Sequence, residues 1–262
     1  MNTSASLEAL TLILTLGLAA CGGSSSDSGS APNLETPAFF FGTMTNLRID
    51  IAYEPNAEPY SNYDWTFIQR NLAALFEGRA IVPAISFPSS SLEAVVLERQ
   101  NKPNWTLFEI LDLANKVRPG VTEGTTGRFI ILFLNGYLND NGTSKNSVIG
   151  LSIRGTTVMA MFKDVVRSTA ARDGGRITRF VEGTTIVHEL GHALGLVNNG
   201  ITLASQHHDA ANGAHCSNPE CVMYYANEGA KDAIEFFRKY QATNDPVVFD
   251  TKCLQDARTF KP

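Results

Sequence analysis

The sequence predicts an α/β protein: a twisted, mostly parallel sheet with helices packed on it, followed by a small C-terminal lobe. Three observations predict this. From residue 45 onward, strand and helix signals alternate along the chain. The run Phe129-Ile130-Ile131-Leu132-Phe133-Leu134 is apolar without a break, as a central strand buried on both faces must be. A helical pattern from about Thr178 to Leu196 carries Ile186, Val187, Leu190, Ala193, Leu194 and Leu196, which is too apolar for a surface helix.

Taken in order, residues 1–20 stand outside the fold. Leu10 to Ala20 is an apolar run too short to span a bilayer and suited to the core of a signal peptide. It ends Leu18-Ala19-Ala20-Cys21-Gly22, which resembles the bacterial lipobox. That resemblance implies a lipid on Cys21 as the first residue of the mature chain, and a place in the cell envelope, at the outer membrane or cell surface. Residues 21–44 then read as a tether, because the Gly/Ser-rich stretch after Cys21 cannot bury a core. As a flexible coil it would span roughly 25 Å.

The N-terminal lobe runs from 45 to 197. Leu47 to Tyr53 alternates apolar and polar residues and predicts a half-buried strand. Tyr63 to Phe76 and Trp105 to Val117 have helical spacing, with Ala80 to Phe87 as a strand between them. Two short strands, Val148 to Ile153 and Thr157 to Phe162, follow the central one and precede the long helix. Asn139-Asp140-Asn141-Gly142 reads as a polar turn rather than a calcium loop, since alternating acids are missing. The C-terminal lobe, 198–262, holds a helical pattern from Ala226 to Tyr240.

The chain has 262 residues, 44% apolar and 18% charged, with a net charge of −5, enough for one substantial core. There is no basic cluster, so no nucleic-acid partner is expected. A monomer is expected, touching the membrane through its lipid only.

Within the long helix stands His188-Glu189-Leu190-Gly191-His192. Residues i and i+4 share a helix face, so both imidazoles can reach one ion. Zn²⁺ suits imidazole and, with three protein ligands, keeps a position free for water. Glu189 is then placed as the general base. Solvated histidines on a surface helix are the bland alternative, and the apolar neighbours argue against it. Gly195 lies three residues after His192, where a helix can stop through a left-handed residue.

HExxHxxG resembles the metzincin family of zinc metalloproteases. His215-Cys216-Ser217-Asn218-Pro219-Glu220-Cys221-Val222-Met223 resembles the HC-x4-CVM segment of archaemetzincins. The resemblance covers roughly residues 180–226 and implies a metzincin-like sheet, a zinc endopeptidase activity on protein or peptide substrates, and Met223 as an apolar floor under the metal. It also implies a candidate oxyanion role for Tyr225, two residues after the methionine, with a core tyrosine as the alternative. Val148 to Ile153 would be an edge strand forming the upper wall of the cleft.

The third zinc ligand stays open. Asn198 holds the metzincin position, but a neutral amide is a poor zinc ligand. The resemblance favours His215, after an insertion spanning Asn199 to Ala214. His207 is the runner-up, with Asp209 as its orienting partner; His208 and water also remain. Cys216, Cys221 and Cys253 are an odd set, and the archaemetzincin structural zinc needs a later CxxC that this chain lacks. One disulfide is expected, with Cys216 to Cys221 implied by the resemblance, and one thiol left over. Two further readings stay open: a non-catalytic surface-binding lipoprotein and a metal-dependent hydrolase of a non-peptide substrate.

Overall fold

The computed structural model describes residues 35–170, 175–243 and 247–262. The expected signal peptide, the lipid-bearing Cys21 and most of the tether lie outside the described residues. The end of that tether does not behave as one. Residues 37–42 form helix α1 (Pro37–Gly42), capped by Thr36, whose hydroxyl accepts from the Phe39 N–H at 3.3 Å. Pro37 opens the helix, where its missing N–H costs nothing. Phe39, Phe40 and Phe41 are buried, with Phe41 stacked on Phe76 at 4.9 Å and Phe40 against Phe129 at 5.4 Å. Three consecutive phenylalanines carry more apolar area than a tether can leave in water.

Strand β1 (Asn46–Tyr53) leads through helix α2 (Thr66–Phe76) to the short strands β2 (Ala84–Ser86), β3 (Val95–Val96) and β4 (Asn104–Trp105). Helix α3 (Leu107–Val117) follows, started by a reciprocal capping box between Thr106 and Glu109. Next comes β5 (Thr126–Leu134), whose last six residues are all buried. Strands β6 (Tyr137–Asp140) and β7 (Thr143–Lys145) form an antiparallel hairpin. Asn141 (φ 50°) and Gly142 (φ 83°) make its two-residue turn, the left-handed pair that such hairpins require. The sequence shows the turn but not the strands, which are too short and polar to declare themselves.

Strands β8 (Gly150–Ser152) and β9 (Val158–Phe162) complete the main sheet, of order β2-β1-β5-β9-β8, with β3 also on β1. All its pairings are parallel except β8 with β9. β8 is thus an antiparallel edge strand beside the long helix. β1 and β5 match register from Asn46↔Thr126 to Tyr53↔Phe133, and their inner residues form the centre of the core.

Helix α4 (Lys163–Ser168) follows β9 directly and precedes the long helix α5 (Arg176–Leu194). A buried ion pair joins them. Lys163 donates to Glu182, and both side chains are 2% exposed. Glu182 also accepts from the Tyr60 N–H at 2.6 Å, and the Lys163 ammonium sits 3.7 Å from the Tyr60 ring centroid. Burial pushes the lysine down and the glutamate up, and the pair's mutual attraction opposes both shifts.

Helices α6 (Ala230–Thr243) and α7 (Thr251–Thr259) close the molecule against α5 and α2. The Arg79 guanidinium donates to the carbonyls of Phe41, Ala257 and Phe260 at 2.6, 2.5 and 3.0 Å, tying α1 to the C-terminal segment. Among the described residues, no helix is long and apolar enough to cross a membrane.

Candidate metal centre

The second half of α5 is almost wholly buried, and it carries His188, Glu189 and His192 inward. Their ring nitrogens meet: His192 Nε2 lies 3.0 Å from His188 Nε2. Glu189 is 4% exposed and its carboxyl hydrogen-bonds to the Ser152 side chain and backbone, which ties it to edge strand β8. Burial raises the Glu189 carboxyl above its ordinary value.

Gly195 ends the helix in the left-handed region (φ 96°), with its N–H donating to Gly191 and His192 carbonyls. Val197 and Asn198 follow, also left-handed at φ 53° and 61°. For a β-branched residue such as Val197 that conformation is strained, and its complete burial holds it there. Asn198 itself is exposed. The insertion then loops away and returns at His215, whose Nε2 stands 3.2 Å from His192 Nε2. The structure therefore brings His188, His192 and His215 together. His207 and His208 are engaged elsewhere, the latter bonded to the Gly213 carbonyl at 2.6 Å.

Tautomers follow from the outer nitrogens. His188 Nδ1 lies 2.7 Å from the Val222 carbonyl and His215 Nδ1 lies 2.5 Å from that of Asn212. Carbonyls only accept, so each Nδ1 carries a proton and each ring turns its Nε2 inward. Burial holds His192 far below its ordinary value, so that ring is neutral. His192 Nε2 thus lies 3.0 and 3.2 Å from the other two Nε2 atoms, close enough for the three to share one cation. Zinc–nitrogen bonds of 2.0–2.1 Å in a tetrahedron put neighbouring donors about 3.3 Å apart. The donor set fits zinc.

A fourth donor faces the same point, and the sequence reading did not find it. Glu228 Oε1 lies 3.0 Å from His215 Nε2 and 3.7 Å from His188 Nε2. The bonds to His188 and His215 outweigh burial and hold its carboxyl well below the usual carboxylate range. It ends a 3-10 turn, Tyr225–Glu228, just past Met223. No spacing rule marks it, because it reaches the metal point only after the chain folds back.

Met223 lies under α5: a Cβ built on Gly191 would meet its sulfur at 2.5 Å. Glycine at 191 is what lets a thioether sit so close to the helix. Tyr225 is paired with Tyr224, ring centroids 4.8 Å apart and hydroxyls bonded to each other.

The cysteines correct the sequence reading. Cys216, Cys221 and Cys253 are all free and fully buried, with no Cys216–Cys221 bridge. Cys253 Sγ is 3.5 Å from Cys221 Sγ and 3.8 Å from His207 Nδ1, and Cys216 bonds to the same groups. His207 Nε2 is held by Asp256 Oδ2 at 2.6 Å, not by Asp209. Counting cysteines could not reveal this. The fourth donor is a histidine from the insertion, and Cys253 and Asp256 share one face of α7 at i and i+3. His207, Cys216, Cys253 and the Asp250 carboxyl bring donor atoms within 4.8 Å of one another, with the Cys221 sulfur beside Cys253, a donor set that fits a structural zinc.

No family model and no curated protein matches the chain. Among solved structures it is similar to the archaemetzincin of Methanopyrus kandleri, at 13% identity over 82% of this chain and 94% of that one, TM-score 0.45. It is similar to a zinc-dependent peptidase of Methanocorpusculum labreanum strain Z, at 15% identity over 80% and 100%, TM-score 0.46. A third is the archaemetzincin of Archaeoglobus fulgidus complexed with malonate, at 15% identity over 80% and 99%, TM-score 0.43. At such low identity and overlap none of these likenesses decides the chemistry, which rests on the residues themselves.

Proposed function

We propose that this chain is a zinc-dependent endopeptidase, with His188, His192 and His215 as the metal ligands and Glu189 as the general base. The observation that carries the reading is the convergence of three Nε2 atoms, with His192 at 3.0 and 3.2 Å from the other two, beside a buried carboxyl. Bound there, zinc would supply Lewis-acid activation of water and of the scissile carbonyl. Glu189 takes the proton from the attacking water and returns it to the leaving amine. Ser152, bonded to Glu189, fixes the carboxyl's direction. β8 offers its free edge to an extended peptide, so the substrate lies alongside the base. The Val222 and Asn212 carbonyls keep two rings in the metal-binding tautomer.

Tyr225 serves the oxyanion only if its hydroxyl leaves Tyr224. A fall in kcat for Tyr225→Phe supports that role; an unchanged kcat makes Tyr225 a packing residue. The second cluster, His207, Cys216, Cys221 and Cys253, holds a structural zinc in this reading. Cys21 carries a lipid that anchors the enzyme to the cell envelope.

The test is digestion of casein or a peptide library by the full chain. Cleavage that stops with a chelator and returns with zinc supports the reading. Failure of the zinc-loaded protein to cut any peptide moves the chain to a non-catalytic or non-peptide role.

A further inference from the structure

We propose that Glu228 is a resident fourth ligand, which closes the metal point at rest and must be displaced before water or substrate can enter. This rests on the zinc reading above and deepens it. The carboxylate faces the His215 and His188 Nε2 atoms at 3.0 and 3.7 Å. Both rings set Nδ1 against a backbone carbonyl and turn Nε2 towards the Glu228 oxygen. A shared cation explains all four atoms at once, and the group meets within 4.8 Å throughout.

The four donors are not held alike. The His188 and His215 side chains are 1% and 6% exposed, whereas that of Glu228 is 48% exposed. The histidines are anchored by α5 and by the returned insertion, each ring backed by its own contacts. Glu228 ends a four-residue 3-10 turn, and Gly229 behind it has no heavy atom within 3.4 Å of a built Cβ. A carboxylate with solvent on one side can swing away without opening the core. Three imidazoles then remain, with the open position that catalysis needs.

The experiment compares full-length wild type with Glu228→Gln, which keeps shape and removes the anionic donor. Zinc affinity is read by chelator competition, with His192→Ala identifying the histidine centre. Acetohydroxamate binding is titrated on the cobalt-substituted proteins, read from bands distinct from thiolate charge transfer. Glu228→Gln is expected to bind zinc at least about tenfold more weakly and acetohydroxamate about tenfold more tightly. Opposite movement of the two affinities is the signature of a displaceable ligand. Weaker zinc with unchanged hydroxamate affinity makes Glu228 a positioning residue for His215 and overturns the proposal, as do two unchanged affinities. If His192→Ala leaves zinc binding untouched, the zinc reading itself fails. Circular dichroism of the variant establishes that the fold is kept.

Discussion

At the scale of single residues, the proposed mechanism rests on Glu189. Glu189→Ala should retain zinc and fold while activity falls about 10²–10⁴-fold, the usual contribution of a positioned proton carrier. Zinc content beside kcat checks it, and near wild-type turnover would remove Glu189 from the mechanism. His188, Glu189 and His192 were legible because a helix turns sequence spacing into spatial spacing within 6 Å. Glu228 and His207 were not. Their partners lie well beyond helical spacing along the chain, and only the folded path of the insertion and the turn after Met223 brings them in. His215 was reached through motif offset, not through any local physical signal.

Helices and strands were legible in proportion to how well packing agreed with local pattern. β5, α2, α3 and α5 combine strong periodicity with burial, so the sequence reading found them within a few residues. α1 and α7 were missed, since six and nine residues carry too little pattern and owe their existence to tertiary contacts. The end of α5 permits a sharp test. Gly195 sits at φ 96°, and an added Cβ would meet Pro37 Cγ at 2.6 Å. Gly195→Ala should cost about 1–3 kcal/mol in chemical denaturation. An unchanged midpoint would mean that α1 gives way freely. The start of α3 gives a second test. The bond from Lys102, then the Thr106 N–H, lowers the Glu109 carboxyl in the folded state. A depressed carboxyl contributes stability that is complete above the ordinary value of 4.5 and is lost as pH falls through the folded value. Thr106→Ala should cost about 1 kcal/mol at neutral pH, and less in acid.

Across the whole molecule, the sheet and the C-terminal helices are fastened by few but buried polar ties. Lys163→Met leaves the buried Glu182 carboxyl without its cation and should cost about 3–5 kcal/mol. The double replacement Lys163→Met with Glu182→Leu should recover much of that, since no charge is then stranded. Thermal unfolding of both variants checks the ordering. The alternation of elements made the sheet legible as a whole, while its order could not be read, because β3 and β8 are two and three residues long.

His215 and Cys216 are consecutive, and each belongs to a different cluster of donors. One peptide bond therefore joins the two donor clusters, and a shift at one reaches the other through it. Such sites are thermodynamically linked, and linkage runs equally in both directions. Filling the thiolate cluster should raise the affinity of the histidine cluster by some factor, and filling the histidine cluster should raise the other by that same factor. Stripped of metal in steps, the protein should lose its two ions cooperatively.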